Sequence, residues 1–361
     1  MGKDIDNGER LRIFSSLSRQ LALIAWLAVI GMGVCLMLLL EGSPGEDSTA
    51  GRAMVHEQNI GPEGKSSPPK ITSQAIYWTA PDTTDLSANR DAAMIQYGKE
   101  LIVNTSKYFG AQGKIGRLAN NMNCQNCHLE AGTKAFANNF SVFFSSYPKL
   151  SERSGRTEEA FERIEECFER SMNGTAPGKD SKEMLAMLAY MKWVGKKQHD
   201  VKVLSDNSVK KPEYMPHEAD PLKGKLVYQQ KCSSCHSSEG SGTLNASGNG
   251  YIYPPLWGAE SYNDGAGMYR LINFAGFVKN NMPLGTTYQA PVLSDEEAWN
   301  VAAYVNSRPR PHFDQRNDYK KLSTKPLDYP FGPYADGFSA SQHKFGPFIE
   351  IAKQQQLKQK K

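Results

Sequence analysis

Two copies of one pentapeptide constrain this chain more than any other feature: Cys124-Gln-Asn-Cys127-His128 and Cys232-Ser-Ser-Cys235-His236. The C-x-x-C-H spacing has a chemical reason. Two thiols at that separation add across the two vinyl groups of a haem, and the next residue sets an imidazole beneath the iron. Zinc ribbons place their C-x-x-C pairs roughly 15–20 residues apart. Here the pairs are about a hundred residues apart and both carry the histidine. Two covalently bound haems c are expected, one on Cys124, Cys127 and His128, the other on Cys232, Cys235 and His236.

The flanking pattern agrees with this. Ala88–Phe109 carries apolar residues at helical spacing, Thr157–Met172 is a second helix, and Ser181–Trp193 a third with Ser181 as N-cap. Around the second motif, Asp220–Gln230 forms a short helix, and Ser294–Asn306 another, opened by a Ser294/Glu297 capping box. No strong strand alternation appears. The expected fold is all-α, with two cytochrome c-like domains in tandem. The first spans 77–200; a linker covers 201–219; the second spans 220–310. From 311 to 361 the chain is Pro- and aromatic-rich without period, as in an extension that wraps over a surface.

Residues 21–40 are uncharged and apolar throughout, and about twenty such residues span the roughly 30 Å core of a bilayer. Lys3, Arg10, Arg12 and Arg19 precede them while Glu41 and Glu46 follow. The positive-inside rule then makes 1–20 cytoplasmic, 21–40 a transmembrane anchor and 41–76 a flexible tether. Both haem domains are placed on the periplasmic side of the inner membrane. A cleaved leader, giving a soluble periplasmic protein, is the rival reading. The net charge of +4 and the lack of basic blocks interleaved with aromatics exclude a nucleic-acid partner.

Each iron needs a second axial ligand. Met282, in Lys279-Asn-Asn-Met-Pro-Leu-Gly, lies in a loop before the last helix of the second domain, where a thioether ligand usually sits; Lys279 is its rival. In the first domain the candidates are Cys167 and Met172. Of the six cysteines, four belong to the motifs and Cys35 lies in the apolar run, so Cys167 has no disulfide partner in an oxidising compartment. It falls on the apolar stripe of its helix, which should face the haem, and Cys167 is preferred over Met172. Arg163, Cys167 and Ser171 follow at i, i+4 and i+8 and share a face. Two readings of that face stand side by side. With Arg153 upstream it is an anion pocket beside a metal, or Arg163 and Arg170 merely pair with Glu159 and Glu166.

The segments GRLANNMNCQNCHLEAGT, ERSGRTEEAFERIEECFERSMNG, KNNMP and KPLDYPFGPYADGFSASQHKFGPF resemble the dihaem c-type thiosulfate dehydrogenases, which join two thiosulfates into tetrathionate. The resemblance covers most of the chain beyond about residue 77. It implies His128/Cys167 ligation of the catalytic haem and His236/Met282 ligation of the electron-transfer haem. It also implies a pocket of Arg153, Arg163 and Ser171 around a catalytic Cys167. The implied partners are thiosulfate and tetrathionate, together with a cytochrome or quinone-linked complex that exchanges electrons with the enzyme. Some members carry a lysine just before the ligand methionine, where this chain has Asn281. The charge requirement fits, since two unit charges 4 Å apart repel by about 4 kcal/mol at an effective dielectric near 20, and two dianions by more. The alternatives are a non-enzymatic tethered dihaem shuttle, the same enzyme run backwards as a tetrathionate reductase, and a dihaem peroxidase using His199, His217 or His343.

Overall fold

The computed structural model describes residues 78–82, 86, 90–196 and 208–359. The expected cytoplasmic segment, anchor and tether, and His199, lie outside the described residues. No helix among the described residues is long and apolar enough to cross a membrane.

Helix α1 (Ala92–Val103) buries Ile95, Leu101 and Ile102 on one side. It stops short of the expected Phe109 because the Thr105 hydroxyl donates back to the Leu101 and Ile102 carbonyls and accepts the Cys124 N–H. A threonine hydroxyl that competes for backbone groups ends a regular helix. Here it also ties α1 to the first haem motif, and a separate turn, Thr105–Phe109, follows.

The expected helix Thr157–Met172 begins later. Thr157–Glu158 (β2) pairs antiparallel with Lys149–Leu150 (β1), and helix α2 starts at Ala160 and runs to Glu166. Glu159 and Glu162 form a reciprocal capping box that fixes this start. The hairpin between β1 and β2 presents Arg153 at its turn. Two-residue strands are too short to show a period, so the sequence pattern missed both them and the second pair, β3 (Thr243–Leu244) with β4 (Tyr251–Tyr253). Helix α3 (Lys182–Val194) is capped by Ser181, whose hydroxyl accepts the Met184 N–H.

The second domain repeats the plan. Helix α4 (Pro221–Lys231) is capped by Asp220, α5 (Leu271–Asn281) follows, and α6 (Asp295–Asn306) opens with the Ser294/Glu297 capping box. In both domains the first helix crosses the last at a glycine. A Cβ on Gly98 of α1 would strike the Ala186 carbonyl of α3, and one on Gly224 of α4 would strike the Asn300 carbonyl of α6. Leu101, Phe109, Phe168, Met187 and Tyr190 fill the first core; Tyr228, Trp257, Trp299 and Val301 fill the second.

The C-terminal segment has more regular structure than its composition suggests. It contains the turn Ala340–Phe345 and helix α7 (Ile349–Gln359), and Phe348 and Ile351 enter the second core. Asp328 is fully buried; it accepts from Arg270 Nε at 2.8 Å and from the Ile272 N–H at 3.0 Å. It therefore caps α5, whose own N-cap residue Arg270 makes no side-chain cap.

Candidate haem sites and catalytic centre

Cys232, Cys235, His236 and Met282 line one cavity of about 510 Å³, walled by apolar side chains including Leu256 and Phe274. His236 Nδ1 lies 2.8 Å from the Pro254 carbonyl oxygen. A carbonyl only accepts, so Nδ1 carries the proton and Nε2 is left free for a metal. Burial lowers the His236 pKa, with the Pro254 bond working against it, which favours the neutral imidazole that iron requires. Met282 caps the C-terminal end of α5. Lys279, its rival in the sequence, is ion-paired with Asp295. These residues fit a haem c: two thiols to attach it, an imidazole Nε2 and a thioether, all lining one cavity.

The first motif has the same arrangement. His128 Nδ1 is 2.5 Å from the Asn138 carbonyl oxygen, and its ring lies 4.6 Å from that of Phe140. Burial pushes its pKa down to about 4; the Asn138 bond opposes this and Arg163 adds to it. Among the described residues no cysteine is in a disulfide, as thioether attachment requires. The two haem sites adjoin, since Cys127 and Leu129 also line the second cavity. Asn281 Nδ2 donates to the Phe136 carbonyl at 2.8 Å, and the Phe136 and Tyr288 rings stack at 4.3 Å.

Cys167 ends α2 and opens a π turn, Cys167–Ser171. It is the largest influence raising the Arg163 pKa, ahead of an opposing burial effect. Burial pushes the Cys124 thiol up to about 11 and the Cys127 thiol up to about 12, with Cys167 adding to both. Cys167 and Arg163 therefore stand close to the first motif. The π turn alters the expected alignment of Ser171. Four residues overshoot a 3.6-residue α turn but fall short of a wider i→i+5 turn, so half-buried Ser171 loses the simple α-helical offset from Cys167. Met172 is buried behind the turn, its N–H donating to the Cys167 carbonyl.

The arginines form one chain of alternating charge, which sequence spacing only half foretold. Arg163 Nη1 lies 3.1 Å from Glu166 Oε2, and Arg153 Nη1 lies 3.2 Å from the same oxygen. Arg153 Nε is 3.8 Å from Asp318 Oδ2, and Arg170 grips both Asp318 oxygens at 2.8 Å. The Arg163 side chain thus pairs with Glu166 at i+3 rather than with Glu159, and Arg170 pairs with Asp318 from the C-terminal segment. Three guanidiniums and two carboxylates leave the chain one positive charge in excess. Burial works against the Glu166 charge, yet Arg153, Arg163 and Arg170 hold its carboxyl below the ordinary range.

Sequence reasoning missed Tyr147. Burial raises its pKa to about 12, and it feels both Arg163 and Cys167. Its only signal was an aromatic near the Arg153 hairpin. Two of the three histidines of the peroxidase alternative fall among the described residues, and neither is free to serve an iron in either haem site. His217 is exposed, and His343 is buried with Nδ1 on the Leu327 carbonyl and Nε2 on Asp336, leaving no nitrogen for a metal.

Two attachment motifs, each beside a histidine with a free Nε2, set in two helical domains with one shared crossing, define a dihaem c-type cytochrome. The SoxA/TsdA cytochrome c domain matches residues 116–199, and the cytochrome c family matches 222–309. The thiosulfate dehydrogenase of Stutzerimonas stutzeri is 38% identical over 235 residues, covering 65% of this chain and 73% of its own. That of Allochromatium vinosum is 41% identical over 202 residues, covering 55% and 73%. A solved thiosulfate dehydrogenase (TsdBA) from Marichromatium purpuratum superposes with a TM-score of 0.58 at 29% identity, covering 65% of this chain and half of that one. The chain belongs to the thiosulfate dehydrogenase family of oxidoreductases. Its cofactors are two covalently bound haems c.

Proposed function

We propose that the chain oxidises two thiosulfates to one tetrathionate at the first haem site, works in reverse as a tetrathionate reductase, and exchanges electrons with an external cytochrome or quinone-linked complex. The observation that carries this reading is the closeness of Cys167 and Arg163 to His128 and its attachment cysteines. An electron shuttle has no use for a thiol beside a charged guanidinium there.

Bound haem supplies one-electron acceptors at each site, the first held by His128 and Cys167 and the second by His236 and Met282. The protein's own groups handle the anions. Arg153 and Arg163 fork onto sulfonate oxygens, offsetting the repulsion between two dianions. Ser171, at the end of the turn that Cys167 opens, donates a hydroxyl to the anion. The Cys167 thiolate forms an S–S bond with the outer sulfur of the first thiosulfate as two electrons leave. A second thiosulfate attacks that sulfur, Cys167 departs as thiolate, and tetrathionate is released with no net proton.

The apolar run 21–40 supports a single-pass inner-membrane anchor holding the haem domains in the periplasm, the cleaved soluble form being the alternative. Purified holoprotein should reduce ferricyanide with thiosulfate and consume reduced dye with tetrathionate. Product analysis should show one tetrathionate per two electrons. A protein that exchanges electrons with other cytochromes but acts on neither sulfur compound is a shuttle, and the proposal fails.

A further inference from the structure

We propose that Asp318, in the C-terminal segment, is a positioning residue for thiosulfate recognition. It keeps the Arg153 guanidinium to a single-point contact with Glu166 and so leaves its other donors open to the anion. This rests on Arg153 belonging to the pocket, as proposed above.

Arg153 has two carboxylates within reach. Glu166 Oε2 takes its Nη1 at 3.2 Å, and Asp318 Oδ2 faces its Nε at 3.8 Å, leaving that buried Nε without a hydrogen bond. Burial works against the Arg153 charge, while Glu166, Tyr319 and Asp318 sustain it. The neighbouring backbone is held too, since the Tyr319 N–H donates to the Arg153 carbonyl at 2.7 Å. Asp318 is itself rigid. Arg170 grips it bidentately, the Tyr329 hydroxyl donates to it at 3.2 Å, and its side chain is 8% exposed. Phe313, from the same segment, lies under the Arg170 guanidinium at 4.4 Å. Without the Asp318 charge, Arg153 would close on Glu166 as a two-point pair, the geometry guanidinium and carboxylate favour. Its donors would then be spent before substrate arrives.

Charge and position predict opposite signs, and this makes the inference testable. If Asp318 acted only as a negative charge, removing it would leave the pocket more positive and lower KM for a dianion. If it positions Arg153, Asp318→Asn raises the thiosulfate KM by about tenfold, the scale of one charge-assisted hydrogen bond. Because Asp318 acts through Arg153, kcat should change little and the visible spectrum of the first haem not at all. A change confined to stability would leave KM unmoved well below the melting temperature.

Asp318→Asn leaves Arg170 buried and unpaired. The pair variant Asp318→Asn with Arg170→Gln removes both charges together and should show the same rise. Arg153→Gln is measured beside them in the ferricyanide assay. If Arg153→Gln keeps the wild-type KM, the pocket reading falls and this inference with it. If Arg153→Gln raises KM while the Asp318 variants lower it or leave it unchanged, only the positioning role is overturned.

Discussion

Cys167 carries more of the proposed chemistry than any other single side chain. It is the largest charge influence on Arg163 and also acts on Cys127 of the first haem motif. Cys167→Gly should therefore abolish thiosulfate turnover in the ferricyanide assay. Both haems should remain attached, because attachment uses only Cys124, Cys127, Cys232 and Cys235. Haem staining of the denatured chain checks the second half, and activity retained by the glycine variant would remove Cys167 from the mechanism. The residue was legible by elimination, as the one cysteine outside both motifs and the apolar run 21–40. Glu166 was weighed only as a bland i−4 partner of Arg170, whereas it bridges Arg153 and Arg163.

Both domains rest on a crossing where helix backbones approach within the space of a missing methyl group. At Gly98 an added Cβ meets the Ala186 carbonyl and Tyr190 Cβ; at Gly224 it meets the Asn300 carbonyl and Tyr304 Cβ. Backbone oxygens cannot rotate aside as a flexible side chain can. Gly98→Ala and Gly224→Ala should each cost about 1–3 kcal/mol or more in urea unfolding of the holoprotein, despite the better helix propensity of alanine. The second crossing also carries a pH dependence. Lys231 donates to Glu297 at 2.7 Å, and this bond, ahead of an opposing burial effect and the Ser294 N–H, lowers the Glu297 pKa. The folded state thus favours the ionised carboxyl. Its stabilising contribution is present above the ordinary carboxylate range and is lost as pH falls through the folded value. Glu297→Gln keeps the capping-box geometry but not the charge. It should therefore show a shallower loss of melting temperature than wild type between about pH 5 and pH 3.

On the scale of the whole molecule, the C-terminal segment ties both domains together. Asp318 reaches the arginines of the first domain, and Asp328 binds Arg270 and caps α5 in the second. Asp328→Ala would leave the Arg270 charge and the Ile272 N–H without their partner, so it should destabilise the fold by about 3 kcal/mol or more. Thermal unfolding followed by far-UV circular dichroism reads this. A wild-type melting temperature would mean that the segment is laid on the surface without supporting it. The domains also meet directly, through Asn281 on the Phe136 carbonyl and Lys134 on the Thr286 carbonyl at 3.4 Å.

The pentapeptides, the capping residues Ser181, Asp220 and Ser294, and the odd cysteine were all readable in the chain itself. Covalent attachment and helix capping are local: each needs a few residues at fixed spacing, and spacing is what a sequence records. The late start of α2, the π turn after Glu166, and the carboxylates that divide Arg153 between them were not readable. Whether Arg170 faces Glu166 or Asp318, and whether a glycine is a flexible joint or the contact point of two helices, depends on which distant backbone comes to lie alongside. Only the folded chain decides that, because ion pairs and close packing are set by distance in space rather than by order along the chain.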